Sequence, residues 1–346
     1  MDTLLLLGLE NGHPAGAITA AFAWGKFVRF TGVGSARALA QAAQVAETGG
    51  DLLNAANCIY SLGNIALARS DHAEARRQYE AALPLYRQVG DVLGEANCIY
   101  RLGDIALERS DHAEARRQYE AALPLYRQVG DVLGEANCIR GLGNIALARS
   151  DHAEASRRYE AVLPLFRQVG AVLGEANCIR GLGNIALARS DHAEASRRYQ
   201  AVLPLFRQVG AVLGEANCIY SLGDIALDRS DHAEARRQYE AALPLYRQVG
   251  DVLGEANCIQ SLGDIALAQS DQAGARQRFA EALVLYERIS APYSIGTSHW
   301  RLARLTEGAE RNHHVQAART AWESIDRPDL VQQLEEEFGA GDQAGT

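Results

Sequence analysis

The chain has 346 residues, of which 48% are hydrophobic and 22% are charged, a composition typical of a globular protein and not of a disordered one. Its formal net charge of −9 argues against a general nucleic-acid-binding protein, since such a protein needs a basic surface, so we expect no nucleic-acid partner. The length suits two ordinary domains or one elongated repeat array.

The N-terminal segment does not resemble a targeting sequence. MDTLLLLGLENG contains a run of four leucines, with no basic residue before it and no small-residue cleavage site after it. Nowhere does the chain approach the roughly 18 apolar residues of a transmembrane helix. We therefore predict a cytoplasmic protein with no membrane partner.

A 40-residue sequence is repeated without insertions, and a fixed period of this length predicts a solenoid of stacked repeats. Residues 1–50 are predicted to form N-terminal helices and a degenerate capping repeat. Residues 291–339 are predicted to form a shortened repeat and a capping helix, followed by a disordered tail at 340–346. Repeats 1 to 6 are residues 51–90, 91–130, 131–170, 171–210, 211–250 and 251–290.

Each repeat is predicted to form two helices. In repeat 2, isoleucine and leucine recur at three- and four-residue spacings from about residue 92 to 109, which favours a helix with one buried face. The second helix is expected to follow Asp111, which has the capping-box spacing with Glu114. Gly130 suits a left-handed cap at its C-terminus.

The six cysteines occupy one position of the repeat. Equivalent helices in a stacked array lie about 8–10 Å apart, whereas a disulfide requires Cα atoms within about 7 Å of each other. We therefore interpret the cysteines as small buried apolar side chains without disulfides. They are Cys58, Cys98, Cys138, Cys178, Cys218 and Cys258.

Patterns typical of catalysis are missing from the sequence. One histidine per repeat, at the start of the second helix as in His72, cannot bring several ligands within about 2 Å of one metal ion. The P-loop pattern G-x-x-x-x-G-K-[ST] and the G-x-S-x-G, H-E-x-x-H and C-x-x-C motifs do not occur. We predict no metal, no cofactor and no enzymatic activity.

The repeat resembles the tetratricopeptide repeat (TPR) family, and the resemblance recurs in all six copies. It is longer than the common form of about 34 residues. In this greater length it is similar to the repeats of kinesin light chain, of LGN-type polarity proteins and of bacterial signalling-NTPase sensors. The resemblance implies an all-α fold, a right-handed α–α superhelix. The family spacing L-G…A…F/Y…A is carried in repeat 1 by Leu62, Gly63, Ala75, Tyr79 and Ala82.

The same resemblance implies that the first helix of each repeat lines a concave surface. Three- and four-residue separations place the implied positions on one helix face. One position is always asparagine, whereas the others vary between copies. The predicted partner-binding residues are Asn57, Asn97, Tyr100, Asp104, Asn137, Arg140, Asn144, Asn177, Arg180, Asn184, Asn217, Tyr220, Asp224 and Asn257.

This pattern favours a non-catalytic scaffold whose partner is a protein or an extended peptide with an acidic centre, held near Arg140 and Arg180. Each asparagine amide can both donate to and accept from a ligand backbone. The alternative interpretation is that the asparagines bond locally and the charges only keep the face soluble. Two other functions stay open: a sensor or regulatory arm of a bacterial signalling NTPase, and a self-associating structural homo-oligomer.

Overall fold

The computed structural model describes residues 36–339 and three isolated positions, 16, 20 and 23. Within residues 36–339 the protein consists of helices and their connections, without any strand. A search of the described residues finds no helix that is both long and apolar enough to span a membrane. The predictions for most of residues 1–35 and for the tail at 340–346 fall outside the described residues.

Helices α2 to α13 form pairs in chain order, one pair for each 40-residue repeat, and this confirms the predicted all-α array of helix-turn-helix repeats. The helices are α1 (Arg37–Thr48), α2 (Leu52–Ala68), α3 (His72–Val89), α4 (Val92–Glu108), α5 (His112–Val129), α6 (Val132–Ala148), α7 (His152–Gln168), α8 (Val172–Ala188), α9 (His192–Gln208), α10 (Val212–Asp228), α11 (His232–Val249), α12 (Val252–Ala268), α13 (Gln272–Arg288), α14 (Pro292–Arg304), α15 (Gly308–Glu323) and α16 (Pro328–Phe338).

The chain divides into two compact units, residues 1–178 and residues 179–346, with the boundary inside α8. In the first compact unit, consecutive helices from α1 to α7 pack against each other. In the second compact unit, the same holds from α9 to α16. Sequential packing of this kind is what a repeat needs to bury its apolar face.

Aspartate side chains cap the N-termini of helices. Asp111 Oδ1 accepts a hydrogen bond from the backbone N–H of Glu114 at 3.1 Å, which satisfies one of the free donors at the start of α5. The predicted capping box is only half correct. The Glu114 carboxylate accepts from Gln118 Nε2 at 2.6 Å, and the Asp111 N–H donates instead to the Ala106 carbonyl at 2.9 Å.

Left-handed residues separate the helices. Gly130 has φ +70° after α5, which confirms the predicted C-terminal cap and shows why glycine is used there. Between the two helices of repeat 2, Ser110 has φ +59°, a conformation that costs a serine more than it costs glycine. The connections are therefore short and fixed in geometry.

Aromatic rings of the second helices fill the space beside first-helix glycines. Tyr119 and Tyr126 are almost fully buried. A Cβ atom at Gly103 would lie 2.8 Å from Tyr119 Cε1, and one at Gly134 would overlap the ring of Tyr126. Glycine is thus required at both positions, because interiors as dense as organic crystals leave no room for a methyl group.

The cysteines are buried, as the sequence predicts. Each of the six is fully inaccessible to solvent and is a free thiol. Burial raises the pKa of Cys138 to about 12, since the thiolate would have to lose its hydration. These side chains behave as small apolar core residues.

We expect Gly134→Ala to destabilise the protein by about 1–3 kcal/mol through overlap with Tyr126. Glycine-to-alanine changes inside helices ordinarily stabilise by about 0.5–1 kcal/mol, so the sign of the effect is diagnostic. Urea unfolding followed by circular dichroism measures it, with the exposed Gln128→Ala as a control expected to stay within about 0.5 kcal/mol of the parent. A Gly134→Ala variant as stable as the parent would contradict the packing argument.

A second prediction uses a difference between repeats. Ala211 is the N-cap residue of α10 and provides no side-chain hydrogen bond. At the start of α6, by contrast, Asp131 Oδ1 accepts a hydrogen bond from the Gly134 N–H at 3.0 Å. Ala211→Asp should therefore raise the free energy of unfolding by about 1 kcal/mol, and Asp131→Ala should lower it by a similar amount. Equal stability of Ala211→Asp and the parent in denaturant titrations would show that the cap contributes nothing.

Candidate functional site

The candidate site is the first-helix face, defined by the residues of each first helix that are equivalent to Asn97, Tyr100 and Asp104 of α4. Their spacing places them on one side of the helix, and Asn97, Tyr100 and Asp104 are each half-buried. The tyrosines of the second helices approach this face from inside the repeat. Its chemistry is therefore set by contacts between the two helices.

The asparagines equivalent to Asn97 are hydrogen-bonded to tyrosines of the second helices. Asn97 Oδ1 accepts a hydrogen bond from the Tyr126 hydroxyl at 2.8 Å. The same bond at 2.8 Å joins Tyr86 to Asn57, Tyr246 to Asn217 and Tyr286 to Asn257. A buried tyrosine hydroxyl needs such a partner, so these carbonyl oxygens serve the fold.

The residues equivalent to Asp104 have the same structural role. Asp104 Oδ1 accepts from the Tyr119 hydroxyl at 2.9 Å, and Asp224 Oδ1 accepts from the Tyr239 hydroxyl at 2.7 Å. The row varies between amide and carboxylate because either group can accept this bond. Asparagine fills the acceptor role in the pairs Tyr79–Asn64, Tyr159–Asn144 and Tyr199–Asn184, at 3.0, 2.8 and 2.7 Å.

The first-helix tyrosines lie between two second-helix tyrosines. The ring centroid of Tyr100 is 5.6 Å from that of Tyr119 and 6.4 Å from that of Tyr126. Tyr220 makes the equivalent contacts at 5.3 Å with Tyr239 and 6.5 Å with Tyr246. Tilted and edge-on contacts at these distances are favourable, so both tyrosines present rigid rings to the face.

Repeats 3 and 4 replace this arrangement by a coordinated pair of changes. Arginine takes the first-helix tyrosine position, and phenylalanine takes the place of the hydroxyl-bearing second-helix residue. In repeat 3, Arg140 Nη2 donates to Asn137 Oδ1 at 3.3 Å, the acceptor that a tyrosine hydroxyl uses in other repeats. In repeat 4, the Arg180 guanidinium carbon lies 6.0 Å from the centroid of the Phe206 ring.

A pocket of about 190 Å³ adjoins Arg140 within the first compact unit. Its other polar lining residues include Tyr100, Arg101, Asp104 and Asn144. Arg140 Nε is buried and has no hydrogen-bond partner, and the described part of the chain contains no ion pair to Arg140. An unsatisfied buried donor of this kind is costly to the fold.

Burial perturbs two carboxylates of this face, those of Asp104 and Asp224. Loss of hydration raises the pKa of Asp104 above its ordinary value, although the Tyr119 hydrogen bond and the Arg101 charge oppose the shift. For Asp224 the same cause raises the pKa to about 6, opposed by Tyr239 and reinforced by Asp228. Such shifts mark candidate functional groups.

The structure places the predicted site residues on first-helix faces within each compact unit. In the first unit these are Asn57, Asn97, Tyr100, Asp104, Asn137, Arg140, Asn144 and Asn177. In the second unit they are Arg180, Asn184, Asn217, Tyr220, Asp224 and Asn257. Sequence reasoning missed the second-helix tyrosines that hold them, although the joint change of Tyr to Arg and Tyr to Phe in repeats 3 and 4 was a readable signal.

Two of the recurring histidines contact carboxylates of neighbouring helices. His72 Nδ1 lies 2.9 Å from Glu108 Oε2, and His192 Nε2 lies 3.8 Å from Asp228 Oδ2. Among the residues that the structure describes, no three His, Cys, Asp or Glu side chains are grouped so as to hold a metal ion.

Solved structures share the fold at low sequence identity. The signal transduction ATPase with numerous domains (STAND) from Pyrococcus horikoshii, which has a tetratricopeptide repeat sensor, matches 87% of this chain with a TM-score of 0.70 and 13% identity. This chain spans 46% of that protein, less than half of its length. The apo quorum sensor NprR from B. thuringiensis matches 87% of this chain and 94% of its own, with a TM-score of 0.60 and 11% identity.

A third structure contains a bound peptide. The Rap conjugation gene regulator of the plasmid pLS20, in complex with the Phr* peptide, matches 85% of this chain and 79% of its own, with a TM-score of 0.53 and 14% identity. At these identities the likeness is one of fold alone. A comparison with curated proteins finds no match.

A family model assigns the sequence to a protein family, which the solved structures at these low identities do not. The model described as tetratricopeptide repeat matches residues 95–168, 135–208 and 215–288, which together make up more than half of the chain. The matched residues are the paired helices whose glycine and tyrosine contacts are described above. The chain belongs to the tetratricopeptide repeat family.

Proposed function

We propose that the protein is a non-catalytic scaffold that binds an extended peptide or protein segment along the first-helix face, and that Arg140 holds an acidic group of that segment. The observation that carries this proposal is the Arg140 guanidinium itself. It borders a pocket, its Nε is buried without a hydrogen-bond partner, and its only described hydrogen bond is to Asn137.

The charges around the pocket support an acidic ligand. Asp104 pairs with Arg101 at 3.2 Å, and Glu108 pairs with His72 at 2.9 Å, so both lining carboxylates already have partners. A carboxylate entering the pocket would meet Arg140, which makes no ion pair within the described part of the chain although its charge also acts on Asp104. Charge-assisted hydrogen bonds between arginine and carboxylate are among the stronger polar contacts in proteins.

The asparagine row supports an extended main chain. Because the Oδ1 atoms of Asn57, Asn97, Asn217 and Asn257 accept from tyrosines, we propose that the Nδ2 groups donate to carbonyl oxygens of the segment. Tyr100 and Tyr220 add fixed aromatic surface for its side chains. We extend the same role to Asn137 and Asn177, which are equivalent to Asn97, and we propose that Asn144, Asn184 and Arg180 contact the segment from the positions equivalent to Asp104 and Arg140.

Proteins of this fold provide a precedent for peptide ligands. The Rap regulator of plasmid pLS20 was solved with the Phr* peptide, and a Rap protein was solved with the Competence and Sporulation Factor. These ligands belong to those proteins. They show only that the fold accommodates such segments, and this is why a segment is proposed in preference to a small molecule.

The second candidate is a sensor arm of a signalling system with an NTPase. The STAND protein, with its tetratricopeptide repeat sensor and TM-score of 0.70, favours it. The present sequence has no P-loop, so nucleotide hydrolysis would be supplied by another domain or chain. Stimulation of a partner NTPase by the intact protein would separate this candidate from a simple scaffold.

The first candidate is tested by selecting peptides from a random display library on the full protein. We expect enriched peptides to share an aspartate or glutamate at one register. Their affinity should fall about tenfold or more for Arg140→Tyr/Phe166→Tyr, consistent with the loss of a charged hydrogen bond worth about 1.5–3 kcal/mol. This double variant reproduces the residues of Tyr100 and Tyr126 in repeat 2, so we expect it to keep the fold.

Arg117→Gln removes an exposed second-helix arginine and serves as the matched charge control. Binding to the double variant as tight as to the parent would exclude Arg140 as the acidic anchor. A library that yields no enriched peptide at all would contradict segment binding itself.

A further inference from the structure

Three repeats carry aspartate at the same first-helix position, and two of these carboxylates are paired with an arginine. Asp104 Oδ2 lies 3.2 Å from Arg101 Nη1, on the same helix. Asp264 accepts from Arg301 of the following helix pair, from Nε at 2.8 Å and from Nη2 at 3.0 Å. The chain thus provides a cation for this carboxylate in two different ways.

Asp224 receives neither cation. The residue equivalent to Arg101 is Ser221, and the residue equivalent to Arg301 is Ser261. Its described hydrogen bond comes from the Tyr239 hydroxyl, and no ion pair to Asp224 occurs within the described part of the chain. A half-buried carboxylate therefore lies beside two serines at the positions where its equivalents have guanidinium groups.

Repeat 6 shows what a guanidinium does at this position. The Arg301 guanidinium makes a two-pronged contact with Asp264, and its carbon lies 5.7 Å from the centroid of the Phe279 ring. Carboxylate pairing and aromatic stacking are the two contacts that suit arginine better than lysine. At Asp224 the ring equivalent to Phe279 is Tyr239, so the same two groups are present without the arginine.

An arginine also fits beside a first-helix tyrosine. Arg101 of repeat 2 lies close enough to Tyr60 of the preceding repeat for the two groups to interact. Ser261 has the same relation to Tyr220, with a distance of 3.4 Å between Ser261 Oγ and the Tyr220 hydroxyl. Tyr220 is therefore no obstacle to a guanidinium at Asp224.

We propose that Asp224 and Tyr239 form a specificity site that takes an arginine side chain of the bound segment, in the position that Arg301 fills at Asp264. The inference rests on the proposed function, because the arginine belongs to the segment on the first-helix face.

Ionisation of Asp224 gives the site a pH dependence. Burial raises its pKa to about 6, and the carboxylate is the form that binds a cation, so binding is present above pH 6 and is lost as the pH falls through it. The fraction ionised, and with it the affinity, should be about tenfold lower at pH 5 than at pH 7. The titratable groups that face Asp224 are Tyr199, Tyr220, Asp228, Tyr239, Tyr246 and Cys258.

The test uses N-acetyl-arginine methylamide as the probe and its neutral citrulline isostere as the control, titrated into the full chain. Carboxyl NMR signals report the pKa of Asp224. We expect saturable binding of the arginine probe at pH 7, a fall of the Asp224 pKa below 6 when it binds, and no response to citrulline. Preference for the lysine analogue would overturn the assignment to arginine.

Two variants make the result specific. Asp224→Asn should abolish the probe response, and Ser261→Arg should block it by supplying the arginine within the chain, with a lowered Asp224 pKa even without probe. Unchanged binding in both would overturn the proposal. If the selected peptides need Arg140 but bind Asp224→Asn as tightly as the parent, this inference is wrong and the proposed function stands. If the library yields no binders but Asp224 still responds to the arginine probe, the proposed function is wrong and the arginine site stands.

Discussion

Each repeat depends on a second-helix aromatic ring that packs directly on a first-helix glycine. Tyr119 occupies the space at Gly103 within repeat 2, and Tyr126 occupies the space at Gly134 in repeat 3. One ring joins the helices of a repeat, and the other joins neighbouring repeats. Since a repeat cannot bury its apolar face alone, this pair of contacts makes stacking obligatory.

The same rings determine the polar surface. A buried tyrosine ends in a hydroxyl that must be hydrogen-bonded, and the first helix supplies Asn97 and Asp104 as acceptors. The rows that resemble a ligand-binding ladder are therefore also part of the packing. The scheme changes at Arg140, where loss of the hydroxyl at Phe166 releases the acceptor of Asn137.

Much of the fold could be predicted from the sequence, because period, caps and buried cysteines are local or repeated features. The site was predicted less completely. Helical spacing places Asn97 on a face, but its bond to Tyr126, 29 residues away, depends on how two helices pack. The arginine partner of Asp104 lies on the same helix, whereas that of Asp264 comes from a different helix, so only the folded chain shows that Asp224 lacks one.

The central claim is that Arg140 and Phe166 are one coordinated replacement for two tyrosines. A double-mutant cycle with Arg140→Tyr, Phe166→Tyr and the double variant, measured by urea unfolding, tests it most directly. Arg140→Tyr alone leaves the Asn137 acceptor facing Phe166 without a donor, and Phe166→Tyr alone brings a second donor to an acceptor already in use. We predict that the double variant is more stable than the sum of the single changes by about 1 kcal/mol or more. Additive effects would contradict the account.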